Sequence, residues 1–124
     1  MDVTVAAYLT RYPQEVAFGD QDAGVVFDRY HTPDFVMCND GIPLDREKLL
    51  AHVRPARKRA TGVRVEVHET MSTADRVAAR YTLTADMATG KTITTQIYMF
   101  GQLAADGRLR RVDQITRDVS AAGR

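Results

Sequence analysis

The second half of the chain alternates in hydropathy. Val63, Val65 and Val67 take turns with Arg64, Glu66 and His68, and Val77, Ala79, Tyr81 and Leu83 with Ala78, Arg80, Thr82 and Thr84. A period of two sends each set to opposite faces of a strand, which fits sheets with two unlike faces. Ser72 to Asp75, Thr89-Gly90 and Asp106-Gly107 interrupt the pattern as turns, the last a strong hairpin signal. Between the last two turns, Ile93, Thr95, Ile97 and Met99 share one parity and Thr94, Gln96, Tyr98 and Phe100 the other. A final strand is expected from about Leu109 to Asp118. Such a meander needs a second layer to cover its apolar face.

The first half supplies that layer. Val5, Tyr8, Leu9 and Tyr12 recur at helical spacing, with a stop expected near Pro13, a short turn through Val16 and Phe18, and a break at Gly19. Asp22 is placed to cap a second helix carrying Val25, Val26, Phe27 and Tyr30. His31-Thr32-Pro33-Asp34 reads as a turn, and Phe35 to Asn39 as a short strand ended by Asp40-Gly41. Asp45 is an N-cap for a third helix, with Leu44 and Leu49 as a hydrophobic staple and Leu49, Leu50 and Val53 as its apolar stripe. Pro55 is expected to kink or end it. Three helices followed by long strands make an α+β plan in one domain, residues 1–124. The short strand joins the same sheet, and helices on one face of a curved sheet leave a cavity between the layers.

Composition narrows the function. Of 124 residues, 44% are hydrophobic and 27% charged, an ordinary globular balance. No apolar run approaches the ~20 residues of a membrane span. Seventeen basic against sixteen acidic residues leave a net charge of +1, less basic than a dedicated nucleic-acid-binding domain. Neither a membrane nor a nucleic acid is expected as partner. A single cysteine, Cys38, allows no intramolecular disulfide and no cysteine metal cluster. Met1 to Thr10 lacks a basic segment of the signal-peptide kind, so a cytoplasmic location is expected.

The segment Phe35-Val36-Met37-Cys38-Asn39-Asp40-Gly41, the Leu44-to-Val53 helix, the Val63–Leu83 hairpin with Asp75-Arg76-Val77-Ala78, and the ending Asp106-Gly107-Arg108-Leu109 with Asp113 form a familiar order. The chain resembles the SnoaL-like polyketide cyclase branch of the nuclear-transport-factor-2-like superfamily over nearly its whole length. The resemblance implies a cone-shaped fold, open at one end to a small apolar ligand, and a homodimer formed through the sheet. It also implies a range of activities, from ketosteroid isomerases and cyclases to epoxide hydrolases, dehydratases and non-catalytic binding modules. Fold alone does not choose among them.

Asp113 is the first candidate for chemistry. The resemblance implies an acidic residue on the last strand as acid or base, and a carboxylate in an apolar cavity has the raised pKa that role needs. Gln114 competes for the same inward position, and a salt bridge with Arg111, Arg117 or Arg80 is the structural alternative. Asp40 lies near where ketosteroid isomerases carry their base, although Asn39-Asp40-Gly41 is also an ordinary turn. His68 has a titrating ring but shares the parity of Arg64 and Glu66, the polar face unless a bulge intervenes. Tyr12 matches the first-helix tyrosine of ketosteroid isomerases, and Tyr81 has the parity to enter the cavity with Val77 and Ala79. Either hydroxyl suits an oxyanion, and either ring suits a core.

The ketosteroid pattern lacks its second acid here, and Arg80 or Arg117 with Asp113 only partly echoes the Asp–Arg–Asp set of the epoxide hydrolases. The three histidines show no metal-binding spacing, so no metal and no cofactor is expected. Arg54, Arg57, Lys58 and Arg59 form a basic run read as solvated surface. The expectation is a cofactor-independent acid/base enzyme acting on an apolar carbonyl compound, with a non-catalytic binding or dimerisation module of the same fold as its rival.

Overall fold

Helices and strands follow one another in a computed structural model that describes residues 4–120. Two helices, α1 (Val5–Phe18) and α2 (Ala23–Tyr30), lead into β1 (His31–Asn39) and β2 (Ile42–Asp45); α3 (Arg46–Arg59) follows, then β3 (Ala60–Ser72), β4 (Arg76–Met87), β5 (Thr92–Leu103) and β6 (Leu109–Asp118). The six strands form one sheet in the order β2-β1-β6-β5-β4-β3. Only β1 and β6 run parallel; every other neighbouring pair is antiparallel. The α+β plan, with three helices on a mostly antiparallel curved sheet, is the one expected.

Both expected caps form. Asp22 accepts from the Gly24 N–H at 2.9 Å and Asp45 from the Lys48 N–H at 2.9 Å, each satisfying a donor that the helix leaves open. The stop at Pro13 does not occur. Proline removes a hydrogen bond to the Leu9 carbonyl, a cost of about 3 kcal/mol in an exposed helix. Here Val5, Leu9 and Val16 bury one face of α1 on both sides of Pro13, and Gln14 donates from Nε2 to the Val63 carbonyl at 2.5 Å. Tertiary packing therefore carries the helix across the break. Helix α3 likewise runs through Pro55.

The expected turn at His31 to Asp34 is strand instead. Pairing between β1 and β6 shifts register between His31 and Val36, so Pro33 and Asp34 fall in an irregular stretch where a missing N–H is tolerated. The turn at Asp40-Gly41 does form, with both residues at positive φ (51° and 85°), and it leads into β2, a strand the sequence pattern did not suggest.

The inward row of the sheet is the expected one on β4, where Val77, Ala79 and Tyr81 are buried, and on β5 with Ile97 and Met99. Against it lie Phe27, Phe35, Leu50 and Val26, nearly sealed from solvent, with Val112 of β6. Arg57 leaves the basic run for a structural task. Its guanidinium donates to the Val16 carbonyl at 2.6 Å and the Gln21 carbonyl at 2.8 Å, satisfying an open end of α1 and tying it to α3. Arg54, Lys58 and Arg59 are exposed, as expected.

Gly101 shows how tightly neighbouring strands pack on the inward side of the sheet. A Cβ there would lie 2.8 Å from Val77 Cγ2 and 3.0 Å from Leu109 Cδ2, both in the core. Gly101→Ala is expected to cost about 1–3 kcal/mol of stability, the usual range for overpacking. Urea denaturation of the variant checks this; an unchanged midpoint would mean that the sheet absorbs the methyl group by shifting.

Candidate functional site

The helical layer does not close fully on the sheet. An apolar cleft of about 280 Å³ lies between the α1 face bearing Tyr8, Leu9 and Tyr12, the last turn of α3 at Ala56, and the inward side of the sheet. Val63, Leu83 and Ala85 line it from β3 and β4, and Met37 from β1. Its polar side chains are few: Tyr8, Tyr12, Tyr81 and Gln114. Among the described residues, no carboxylate lines it.

The expected site residues divide on this geometry. Tyr12 and Tyr81 are at the cleft. Burial raises the pKa of both, so both remain neutral hydroxyls able to donate. Asp113 is a correction. Phe100 of β5 pairs with Asp113 and Met99 with Gln114, and since Met99 is buried, Gln114 shares the inward side. Gln114 lines the cleft and donates from Nε2 to Asn39 Oδ1 at 2.8 Å. Asp113 is exposed on the outer face, in a two-bond fork with the Arg111 guanidinium at 2.9 and 3.0 Å. That is the salt-bridge alternative.

His68 and Asp40 also stand away from the cleft lining. The pairing does shift at Val67 to Glu69, yet His68 stays exposed and its Nε2 meets the Thr82 hydroxyl at 2.7 Å. The bulge that would have turned it inward does not. Asp40 is exposed in its turn and accepts from the Thr116 N–H at 2.7 Å and from the Thr116 hydroxyl. Those bonds hold its carboxyl below the ordinary range, opposite to what a base at neutral pH needs.

The residue missed by sequence reasoning is His31. It opens β1 and is 1% exposed, stacked on Phe27 with ring centroids 4.1 Å apart. Its Nδ1 lies 2.8 Å from the Phe27 carbonyl, and a carbonyl only accepts, so Nδ1 carries the proton. Nε2 is then a lone pair, and the Tyr8 hydroxyl donates to it at 2.8 Å. Tyr8 stacks on Tyr12 at 5.5 Å and faces Tyr30 edge-on at 5.6 Å. Burial pushes the Tyr8 pKa well above its ordinary value, and the neighbouring hydroxyls of Tyr12, Tyr81 and Tyr30 add to the shift. The spacing of Tyr8 and Tyr12 places both on one helix face and was available in the sequence; the strand around Pro33 was not.

Burial lowers the His31 pKa to about 4, although the Phe27 hydrogen bond and Asp28 oppose the shift. The imidazole is therefore neutral at physiological pH. Among the described residues, no group of three or more His, Cys, Asp or Glu side chains converges to hold a metal ion, and no helix is long and apolar enough to cross a membrane.

Comparison with known proteins agrees with this architecture. The SnoaL-like domain family matches residues 9–112 of the chain. Among curated proteins, none matches the sequence significantly. The fold is similar to IdmH of Streptomyces antibioticus, with a TM-score of 0.71 at 18% identity, covering 96% of this chain and 93% of that one. It is also similar to a SnoaL-like polyketide cyclase of Agrobacterium tumefaciens, with a TM-score of 0.68 at 15% identity over 98% of both chains. A third likeness is to an epoxide hydrolase of M. tuberculosis, with a TM-score of 0.68 at 16% identity, covering 91% of this chain and 79% of that one. At these identities the likeness is one of fold.

His31 makes acid stability a direct test of the site. Between the ordinary histidine value near 6.5 and the folded value of about 4, the unfolded chain binds a proton that the folded chain refuses. Stability therefore falls as pH drops through that window, by about 3 kcal/mol in all. Urea midpoints at about pH 7 and about pH 4.5 should differ far less in His31→Gln than in the unaltered protein. In the unaltered protein the His31 ring resonances should not titrate until the pH nears about 4; titration near the ordinary value would show that the ring is not held as described.

Proposed function

Because the chain belongs to the SnoaL-like domain family, we propose that it binds an apolar, polyketide-like carbonyl compound in the cleft and acts on it by proton transfer without a cofactor. The observation that carries this is Tyr8, hydrogen-bonded to the buried His31, on a cleft otherwise lined by apolar side chains, Tyr12, Tyr81 and Gln114. Names borne by similar folds, a polyketide cyclase and an epoxide hydrolase, belong to those proteins and suggest the range of reaction types.

The chemistry follows from the protonation states. Tyr12 and Tyr81 stay neutral and donate hydrogen bonds to a ketone oxygen, bonds that strengthen as charge develops on it. The Tyr8 oxygen takes the proton from the carbon beside the carbonyl while its own proton passes to His31 Nε2. The C–H electron pair moves into an enolate, whose oxygen the other two hydroxyls hold. Nδ1 keeps its proton on the Phe27 carbonyl throughout.

Such a relay is a weak base, because His31 resists protonation down to about pH 4. It therefore suits a substrate whose C–H bond is already acidified by two flanking carbonyls, as in a polyketide-like chain. A simple steroid ketone would demand a stronger base, such as a carboxylate whose pKa burial has raised, and among the described residues no carboxylate lines the cleft. A cytoplasmic location accords with this reading.

Deuterium exchange into a cyclic 1,3-diketone, followed by NMR, tests the proposal. The protein should accelerate exchange. Tyr8→Phe should lose about 10²–10³-fold of that acceleration, the usual effect of deleting one such hydroxyl. Asp113→Asn, which removes an outward ion pair, should leave the rate unchanged. A diketone that binds the unaltered protein yet exchanges no faster than in buffer would favour the non-catalytic binding module instead.

A homodimer through the outer sheet face is the second part of the reading. Tyr98, Phe100 and Ile115 are 55%, 70% and 63% exposed there, and Tyr98 pairs directly with Ile115 across β5 and β6. A contiguous apolar patch of this kind favours burial against another copy. Sedimentation should give a dimer for the unaltered protein and a monomer for Phe100→Arg; a monomer in both would remove this part of the proposal.

A further inference from the structure

A second, smaller pocket of about 60 Å³, the rear space, is lined by Val5, Val77, Leu103 and Leu109 with Arg29 and Arg108 alongside, and reaches the exposed β5–β6 turn at Asp106 and Gly107. Among the described residues, Tyr8 alone lines both spaces. The same helix and the same strand contribute to both spaces. On α1, Val5 lines the rear space while Leu9 and Tyr12 line the cleft. On β4, Val77 belongs to the rear and Tyr81 to the cleft, with only the methyl group of Ala79 on the inward row between them.

We infer that the Tyr8 ring is a partition that sets the length of ligand the cleft accepts, a role that rests on the cleft being a ligand site. The ring is pinned on two sides, by the hydroxyl bond to His31 at 2.8 Å and by the stack on Tyr12 at 5.5 Å and 9° between planes. Both contacts hold the ring between the two sets of lining residues. The rear space is fitted to an uncharged alkyl tail. Arg29 is already paired with Glu15 at 3.1 Å and Arg108 with Asp106 at 2.8 Å, so neither offers an anionic tail an unpaired cation.

The test is a series of straight-chain methyl ketones of increasing length, each displacing N-phenylnaphthylamine from the protein by fluorescence. Each added methylene should tighten binding about fourfold until the chain meets the partition, where the gain stops. In Tyr8→Ala the gain should continue for further carbons. In Tyr8→Phe, which keeps the ring, it should stop where it does in the unaltered protein. Adding Leu103→Trp to Tyr8→Ala should refill the rear space and restore the short limit. Tyr8→Leu, also shorter than tyrosine but less disruptive to the core, provides the same comparison if Tyr8→Ala does not fold. An unchanged limit in the shortened variants overturns the partition while leaving the cleft as a binding site. If neither dye nor ketone binds the unaltered protein, the partition and the ligand-site reading fall together.

Discussion

The buried imidazole of His31 is the joint on which the two layers of this protein hang. One nitrogen ties it to the end of α2 through the Phe27 carbonyl, and the other to α1 through the Tyr8 hydroxyl. Its backbone opens β1 and pairs with Leu109 of β6. Phe27 and Phe35 enclose the ring at centroid distances of 4.1 and 4.5 Å. A buried polar ring with both nitrogens satisfied is tolerable, and with either one unsatisfied it costs about 1–3 kcal/mol. The helices are thus held to the sheet at one defined separation. Tyr8 lines both the cleft and the smaller pocket that this arrangement leaves.

The same constraint shapes the proposed chemistry. A neutral histidine can accept only one hydrogen bond, and because Nδ1 is committed to a carbonyl, the tautomer leaves Nε2 facing Tyr8. Burial that keeps the ring neutral also makes it a reluctant base. Strength as a structural anchor and strength as a proton acceptor therefore oppose each other at this residue. The proposed substrate class follows from that opposition, since a weak base selects carbon acids that are already activated.

Much of the architecture is legible in the alternating strands, because inward valines and outward charges leave β3 and β4 only one way to face. The last strand is different. Val112 and Ile115 are both apolar and lie on opposite faces, so hydropathy does not choose between Asp113 and Gln114. The choice comes from pairing, Met99 to Gln114 and Phe100 to Asp113, a long-range fact no local pattern carries. Helix α1 misleads for a related reason. Pro13 is a breaker in a peptide, but its neighbours Leu9 and Val16 are buried, and burial outweighs the lost hydrogen bond. At β1, proline and aspartate suggest a turn where a register shift lets them sit in a strand.

Tyr8 and Tyr12 illustrate how far spacing alone can reach. Four residues apart on one helix, both were bound to meet the same surface, and nothing local distinguishes their roles. The hydroxyl's reach does. The Tyr12 ring packs edge-on against His31 with centroids 4.9 Å apart, nearer than the 5.5 Å of Tyr8, and lines the cleft with Pro13 and Val16. The Tyr8 hydroxyl is the one that meets the His31 lone pair. A hydroxyl with a built-in acceptor can relay a proton, whereas one without it can only donate. The difference between the two tyrosines therefore lies in the partner that the fold brings to each, and that partner comes from a segment whose sequence reads as a turn.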